Sequence, residues 1–116
     1  MYKVLLTDHP EPAAVGVFSA YPEIEAISTG TPPPAELAAL LPEFDAVIVR
    51  SPTRLTADAI AAGSRLRVIG RAGVGVDNID LAAAAMRGIV VLNVPGANTI
   101  STAEHTVGMI LAAARR

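Results

Sequence analysis

The sequence predicts one domain built on an open, doubly wound parallel α/β sheet of five strands. Three observations predict it. Short apolar runs recur along the chain, each followed by a polar or glycine-bearing loop and then by residues with helical spacing. Three of those runs, Val4 to Leu6, Ala46 to Val49 and Ile89 to Leu92, hold no polar residue, which suits a parallel sheet with helices packed over it. Finally, 52% of the residues are hydrophobic but only 3% are aromatic and none is Trp, so the core is aliphatic. A length of 116 residues leaves room for one modest core and not for two.

The elements follow in order. Val4 to Leu6 is a short buried strand ending at Asp8, and Pro10 to Tyr21 carries Ala14, Val17, Phe18 and Tyr21 at helical spacing. Ile24 to Ile27 is a weaker strand placed at the sheet edge. Pro32 to Pro34 form a stiff connector into a helix over Ala35 to Leu41, whose Leu37, Leu40 and Leu41 share a face. Ala46-Val47-Ile48-Val49 is the clearest central strand. Thr56 caps a short helix that Gly63 closes. Leu66 to Ile69 is the fourth strand, Asn78 or Asp80 caps the Ala-rich helix that ends at Gly88, and Ile89 to Leu92 is the fifth strand. Ser101-x-x-Glu104 is a capping box that opens the last helix, which runs to the terminus. Short loops and right-handed crossovers then give a flavodoxin-like (βα)5 three-layer sandwich.

Composition narrows the function. A net charge of −2 carries no electrostatic footprint for nucleic acid or an anionic membrane. The absence of cysteine excludes disulfides, thiolate metal sites and a Cys nucleophile. No apolar stretch approaches the roughly 20 residues of a membrane span, and the apolar run after Met1 is too short for a signal peptide. A cytoplasmic protein is expected, without nucleic-acid or membrane partners. No His/Asp/Glu cluster has metal-ligand spacing, and no nucleophile–base–orienter set is present, so neither a metal residue nor a catalytic residue is assigned.

What remains is the edge where loops leave the carboxyl ends of the strands. Arg50-Ser51-Pro52-Thr53 follows the third strand, Gly70 to Asn78 the fourth, and Asn93 to Thr99 the fifth. Gly73-Val74-Gly75 precedes a helix as a dinucleotide fingerprint would. However, Asn78 stands where the third glycine belongs, and no acidic residue lies about 20 positions on. Two readings stay open: a tight strand-to-helix turn, or a turn whose backbone N–H groups approach an anion. Arg50 and Arg71 both follow strands and are expected at this edge, beside Ser51, where guanidinium binds carboxylate or phosphate bidentately. Asn93 and Asn98 flank a Pro-Gly turn, and His105 is a lone histidine with no Ser or Cys partner. Asp8 and His9 read as an ordinary polar turn.

The segments Val49-Arg50-Ser51-x-Thr53, Val68-Ile69-Gly70-Arg71-Ala72-Gly73-Val74-Gly75-Val76-Asp77-Asn78-Ile79-Asp80, Arg87-Gly88-Ile89-Val90-Val91-x-Asn93-x-Pro95, Asn98-Thr99 and Ala103-Glu104-His105 occur in that order. Together they resemble the N-terminal part of D-isomer-specific 2-hydroxyacid dehydrogenases, over essentially the whole chain. The resemblance implies that Arg50, Ser51 and Asn98 help hold an anionic substrate. It also places the backbone around Val74 and Gly75 near the substrate carboxylate, with Val74 also near the nicotinamide of NAD. It further implies that the parent enzyme oxidises a phosphorylated 2-hydroxy acid, 3-phosphoglycerate, to 3-phosphohydroxypyruvate with NAD, towards serine. The family's G-x-G-x-x-G domain and its catalytic Arg, Glu and His are not in this sequence. Residues 1–116 are therefore expected to be a truncated substrate domain that binds no NAD and is inactive by itself.

The opposing readings are a free-standing flavodoxin-like module or a fold model without activity. A flavin carrier wants a Ser/Thr/Gly phosphate loop after the first strand, where Asp8-His9-Pro10-Glu11-Pro12 stands, and a phospho-receiver wants an Asp where Arg50-Ser51 stands. The last helix is uncharged from Thr106 through Ala114 and apolar nearly all round. It is expected to fold back onto its own sheet, with homodimerisation through any apolar remainder.

Overall fold

The computed structural model describes residues 1–96 and 99–115. Five strands form the sheet: β1 (Tyr2–Leu6), β2 (Ile24–Ser28), β3 (Ala46–Val49), β4 (Val68–Arg71) and β5 (Val90–Leu92). The helices are α1 (Pro12–Gly16), α2 (Pro34–Leu40), α3 (Ala57–Ala62), α4 (Leu81–Met86) and α5 (Thr99–Arg115). A 3₁₀ turn, Val17–Ala20, prolongs α1, and another, Leu41–Glu43, prolongs α2. All strand pairs are parallel and the order is β2-β1-β3-β4-β5. Register is set by Val4 facing Ala46, Ala46 facing Val68, and Val68 facing Val90.

Because side chains alternate along a strand, the sheet has two distinct faces. Leu5, Val47, Val49 and Ile69 point to one face and are completely buried. There α2, α3 and α4 lie side by side, contributing Leu37, Ala59, Ile60 and Ala84 to the same core. The other face carries Leu6 and Ile48, which line a cavity together with Ala14, Val17 and Phe18 of α1 and its turn. Helices thus lie on both faces of the sheet, which is the expected three-layer α/β fold.

Several boundaries differ from the expectation for local reasons. Strand β4 starts at Val68 because Leu66 is drawn into the core by the turn whose Leu66 N–H donates to Gly63 O. Helix α1 begins only at Pro12, because Asp8 (φ 64°) and His9 (φ 50°) hold two successive left-handed conformations. Asp80, not Asn78, caps α4 by accepting from Ala83 N–H at 3.0 Å. Helix α5 starts at Thr99, so Ser101 lies inside it rather than capping it.

The larger correction concerns α5. It does not fold back onto the sheet: Ile110 is 63% exposed, and Ile100, Val107, Met109 and Leu111 are exposed with it. The sheet it was expected to cover leaves Val90 and Leu92 exposed at 53% and 56%. Val94 N–H donates to Gly73 O at 2.9 Å and Asn93 Nδ2 donates to Val74 O at 2.8 Å. Those bonds tie residues 93 and 94 to the β4–α4 loop at the carboxyl edge.

Candidate functional site at the carboxyl edge of the sheet

In this strand order the chain leaves β1 and β3 in opposite directions, through α1 on one face and α3 on the other. The crevice between the two strand ends is the topological switch point, where open α/β sheets bind ligands. Asp8 follows β1 at that point and the loop Arg50 to Thr53 follows β3.

Asp8 is 5% exposed and accepts hydrogen bonds from three directions. Its Oδ2 takes Arg50 N–H at 2.8 Å, Thr53 N–H at 3.3 Å and the Thr7 hydroxyl at 3.2 Å. Its Oδ1 takes the Thr53 hydroxyl at 2.5 Å and the Thr31 hydroxyl at 2.8 Å. Burial opposes its ionisation and is the largest single influence. The bonds from Thr53, the Arg50 amide, Thr31 and Thr7 together outweigh it and hold the pKa below the ordinary carboxylate value. Asn78 holds the same loop from the opposite side, its Nδ2 donating to Arg50 O at 2.7 Å and Thr53 O at 2.6 Å. A parallel bridge between Leu55 and Ile79 continues the seam.

Held this way, Arg50 and Ser51 are exposed at the tip of the loop. Arg50 lines one end of a largely apolar cavity of about 360 Å³, together with Thr7, Glu11, Phe18, Ile48 and Ala72. In the neighbouring loop Val74 and Gly75 are exposed, and Asn93 anchors them through Val74 O. Among the described residues, the amides of Ser51, Val74 and Gly75 donate to no protein acceptor. Two anchored loops therefore present the Arg50 guanidinium, the Ser51 hydroxyl and free N–H groups along a single edge. That set suits a small anion. Asn98 lies outside the described residues.

Arg71 departs from the expectation. Its side chain is only 10% exposed, lies against the Gly73–Gly75 turn and pairs with Asp77 Oδ1 at 2.8 Å. The hydrogen bond from Arg71 holds the Asp77 carboxyl below its usual range. Arg71 thus supports the turn, while Arg50 stands open at the edge. Sequence reasoning also missed Asp8 and Asn78 as organisers of the loop. Nothing local marks Asp8; only the adjacency of β1 and β3 puts it beside Arg50. A bonding partner for Asn78 was equally invisible before β3 and β4 were known to be neighbours.

The sequence profile of the D-isomer specific 2-hydroxyacid dehydrogenase catalytic domain matches residues 4–113. The chain belongs to this family. Relatives in it include a D-3-phosphoglycerate dehydrogenase of Synechocystis, 45% identical over 115 residues, covering 99% of this chain and 20% of that protein. Another, from Archaeoglobus fulgidus, is 58% identical over 81 residues, covering 70% of this chain and 15% of that one. The chain thus spans about a fifth or less of the length of these relatives. Among solved structures, the TT0316 protein of Thermus thermophilus superposes with a TM-score of 0.90 at 33% identity, covering 98% of this chain and 37% of that one. The NAD⁺-bound 3-phosphoglycerate dehydrogenase of Entamoeba histolytica superposes with a TM-score of 0.81 at 30% identity, over 94% of this chain and 38% of that chain.

Family membership raises the question of NAD, and the β4–α4 turn does not fit a dinucleotide. A pyrophosphate needs a free helix N-terminus behind the glycines. Here the Asp80 carboxylate caps α4, Asp77 stands just before it, and Asn78 is committed to the neighbouring loop. The flavin-carrier reading fails on similar grounds, because the loop after β1 presents a buried carboxylate where a phosphate would sit.

Proposed function

We propose that this chain is the substrate-holding portion of a D-3-phosphoglycerate dehydrogenase. The reading is supported chiefly by the anchored loop at the switch point, whose Arg50 and Ser51 lie at the same edge of the sheet as the loop carrying the unpaired amides of Val74 and Gly75. The 45% identity to a D-3-phosphoglycerate dehydrogenase over 99% of the chain supports the choice of substrate. A guanidinium and a hydroxyl match one anionic end of 3-phosphoglycerate, and two backbone N–H groups match a carboxylate. Asn98 belongs to the same set on the family resemblance.

In this reading the chain binds and orients the 2-hydroxy acid, with the Val74–Gly75 backbone bordering the nicotinamide as well. NAD supplies the hydride acceptor that turns 3-phosphoglycerate into 3-phosphohydroxypyruvate, and regions of the parent outside residues 1–116 hold it. The chain alone is then inactive and has no specific NAD affinity. A cytoplasmic setting suits such an enzyme; no described helix is long and apolar enough to cross a membrane. A homodimer through α5 belongs to the same proposal, because that helix is apolar and exposed.

The test is titration of the chain with 3-phosphoglycerate, read on the Ser51, Val74 and Gly75 amides, alongside calorimetry with NADH. Arg50→Ala should weaken binding roughly 10- to 150-fold, the range for losing a charge-assisted contact. In the parent enzyme the loss should fall on KM more than on kcat if the contact is equal in ground and transition states. Unchanged affinity would return Arg50 to a solvated surface charge, and saturable micromolar NADH binding would overturn the division of labour.

A further inference from the structure

We propose that Asp8 is a positioning residue whose carboxylate fixes the Arg50–Thr53 loop and thereby aims Arg50 and Ser51 into the crevice. The proposal rests on the functional reading above for what the loop binds, and on the geometry alone for how the loop is held.

Four features carry it. First, the carboxylate spans the switch point: Asp8 belongs to the β1 exit, yet it binds both ends of the Arg50–Thr53 segment, through Arg50 N–H and through the amide and hydroxyl of Thr53. Second, the contact is internal to the protein. Asp8 and Thr53 are among the few buried polar residues described, and no ligand atom is needed to satisfy either. Third, the backbone is bent to deliver it. Asp8 and His9 stand at φ 64° and 50°, conformations that non-glycine residues adopt only where surrounding contacts compensate. The turn is fastened by Asp8 N–H donating to Gly30 O at 2.8 Å and His9 N–H to Thr29 O at 3.3 Å. Fourth, the opposite side of the loop is fixed by Asn78, which takes the Arg50 and Thr53 carbonyls. Asp8 collects the donors of Arg50 and Thr53 while Asn78 supplies donors to their carbonyls. The Arg50 backbone is therefore tied at both its N–H and its C=O, and only its side chain and residue 51 remain free to meet a ligand.

The left-handed backbone dictates the choice of variants. Asp8→Gly removes the carboxylate without imposing strain at positive φ. Asp8→Asn suits that conformation and keeps an acceptor for the two amides, while its NH₂ donates to the hydroxyl oxygens of Thr31 and Thr53. Amide hydrogen exchange of the 116-residue chain is compared with 3-phosphoglycerate titration in wild type, Asp8→Gly, Asp8→Asn and Arg50→Ala. In Asp8→Gly, exchange at Arg50 and Thr53 should quicken by about 10-fold or more while Val47 and Ile69 keep their protection, and affinity should fall by a similar factor. Asp8→Asn should restore both readouts to within about threefold of wild type. A merely structural role would lower protection throughout the sheet instead.

Folded Asp8→Gly with unchanged exchange at Arg50 and Thr53 overturns the proposal, as does a loss shared equally by Val47 and Ile69. Should Asp8→Gly fail to fold, Thr53→Val removes one of the five bonds and leaves the carboxylate in place. It should give a smaller loosening confined to the same loop, and its absence overturns the proposal equally. If wild type and Arg50→Ala bind 3-phosphoglycerate alike, the substrate reading fails, while the exchange data still decide whether Asp8 holds the loop.

Discussion

Gly75 and Arg71 occupy space that cannot hold one more carbon: a Cβ at residue 75 would stand 2.7 Å from Arg71 Nη1 and 3.1 Å from Asp77 Oδ1. The glycine is there for close approach, and the arginine it admits closes the turn by pairing with Asp77. Gly75→Ala should therefore expel the guanidinium end of Arg71. Because the displaced atoms end a side chain, the destabilisation should sit near the low end of overpacking, about 1 kcal/mol. Gly73→Ala, whose Cβ would meet Arg71 Nε at 3.7 Å, should be milder. Thermal melts of the two variants compare them directly, and equal melting temperatures would refute the close-approach account.

Acid should loosen the site. Asp8, Asp45 and Asp77 all have folded pKa values below the ordinary 3.8. Asp45 is held down first by the Lys3 amide and then, against its partial burial, by Arg65. A depressed folded pKa means the unfolded chain takes up protons first as pH falls. Their stabilisation is thus fully present above the ordinary carboxylate range and is lost as pH drops through 3.8 towards the lowered folded values. Denaturant titrations across that window should show a shallower acid limb for Asp8→Asn than for wild type. An identical slope would mean that Asp8 titrates alike in both states.

Arg87 closes the far end of α3. Its Nη1 donates to the carbonyls of Ile60 and Gly63, and Nη2 reaches Ser64 O at 3.4 Å. Arg87→Ala should cost about 1 to 2 kcal/mol, since charged hydrogen bonds to the carbonyls at the end of α3 and in the turn after it are lost at a partly exposed site. Arg87→Lys should recover little, because an ammonium cannot reproduce the fork. Urea midpoints for the three proteins settle the point, and full rescue by lysine would contradict it.

The exposed apolar side chains of α5 and of the β5 end should drive association. Light scattering over a concentration series should show species larger than a monomer. The double variant Ile110→Lys with Leu111→Lys should shift them towards monomer without altering the sheet. A wild-type chain that stays monomeric at every concentration would remove the homodimer from the proposed function.

How much of this was legible in the sequence depended on the range of the interaction concerned. Thr56 announced itself as a cap and Gly63 as a helix end because those signals act within one turn of chain. The Val/Ile/Leu runs announced a parallel sheet because burial on both faces leaves no polar alternation. Arg50, Ser51, Val74 and Gly75 could be placed on one edge for the same reason, since every loop after a parallel strand opens there. Beyond that edge, the sequence could not say which side chain holds which loop. Asp8 lies 45 residues from Thr53, and Asn78 lies 28 from Arg50, so neither pairing exists until β1, β3 and β4 stand side by side. Arg71 turns under Gly75 to pair with Asp77 inside its own loop, a choice among local partners that residue type alone did not reveal. For α5 the sequence determined only that the helix is apolar nearly all round. That it lies exposed instead of covering the sheet was decided by the tertiary structure, because a helix's burial depends on what packs against it and not on its own pattern.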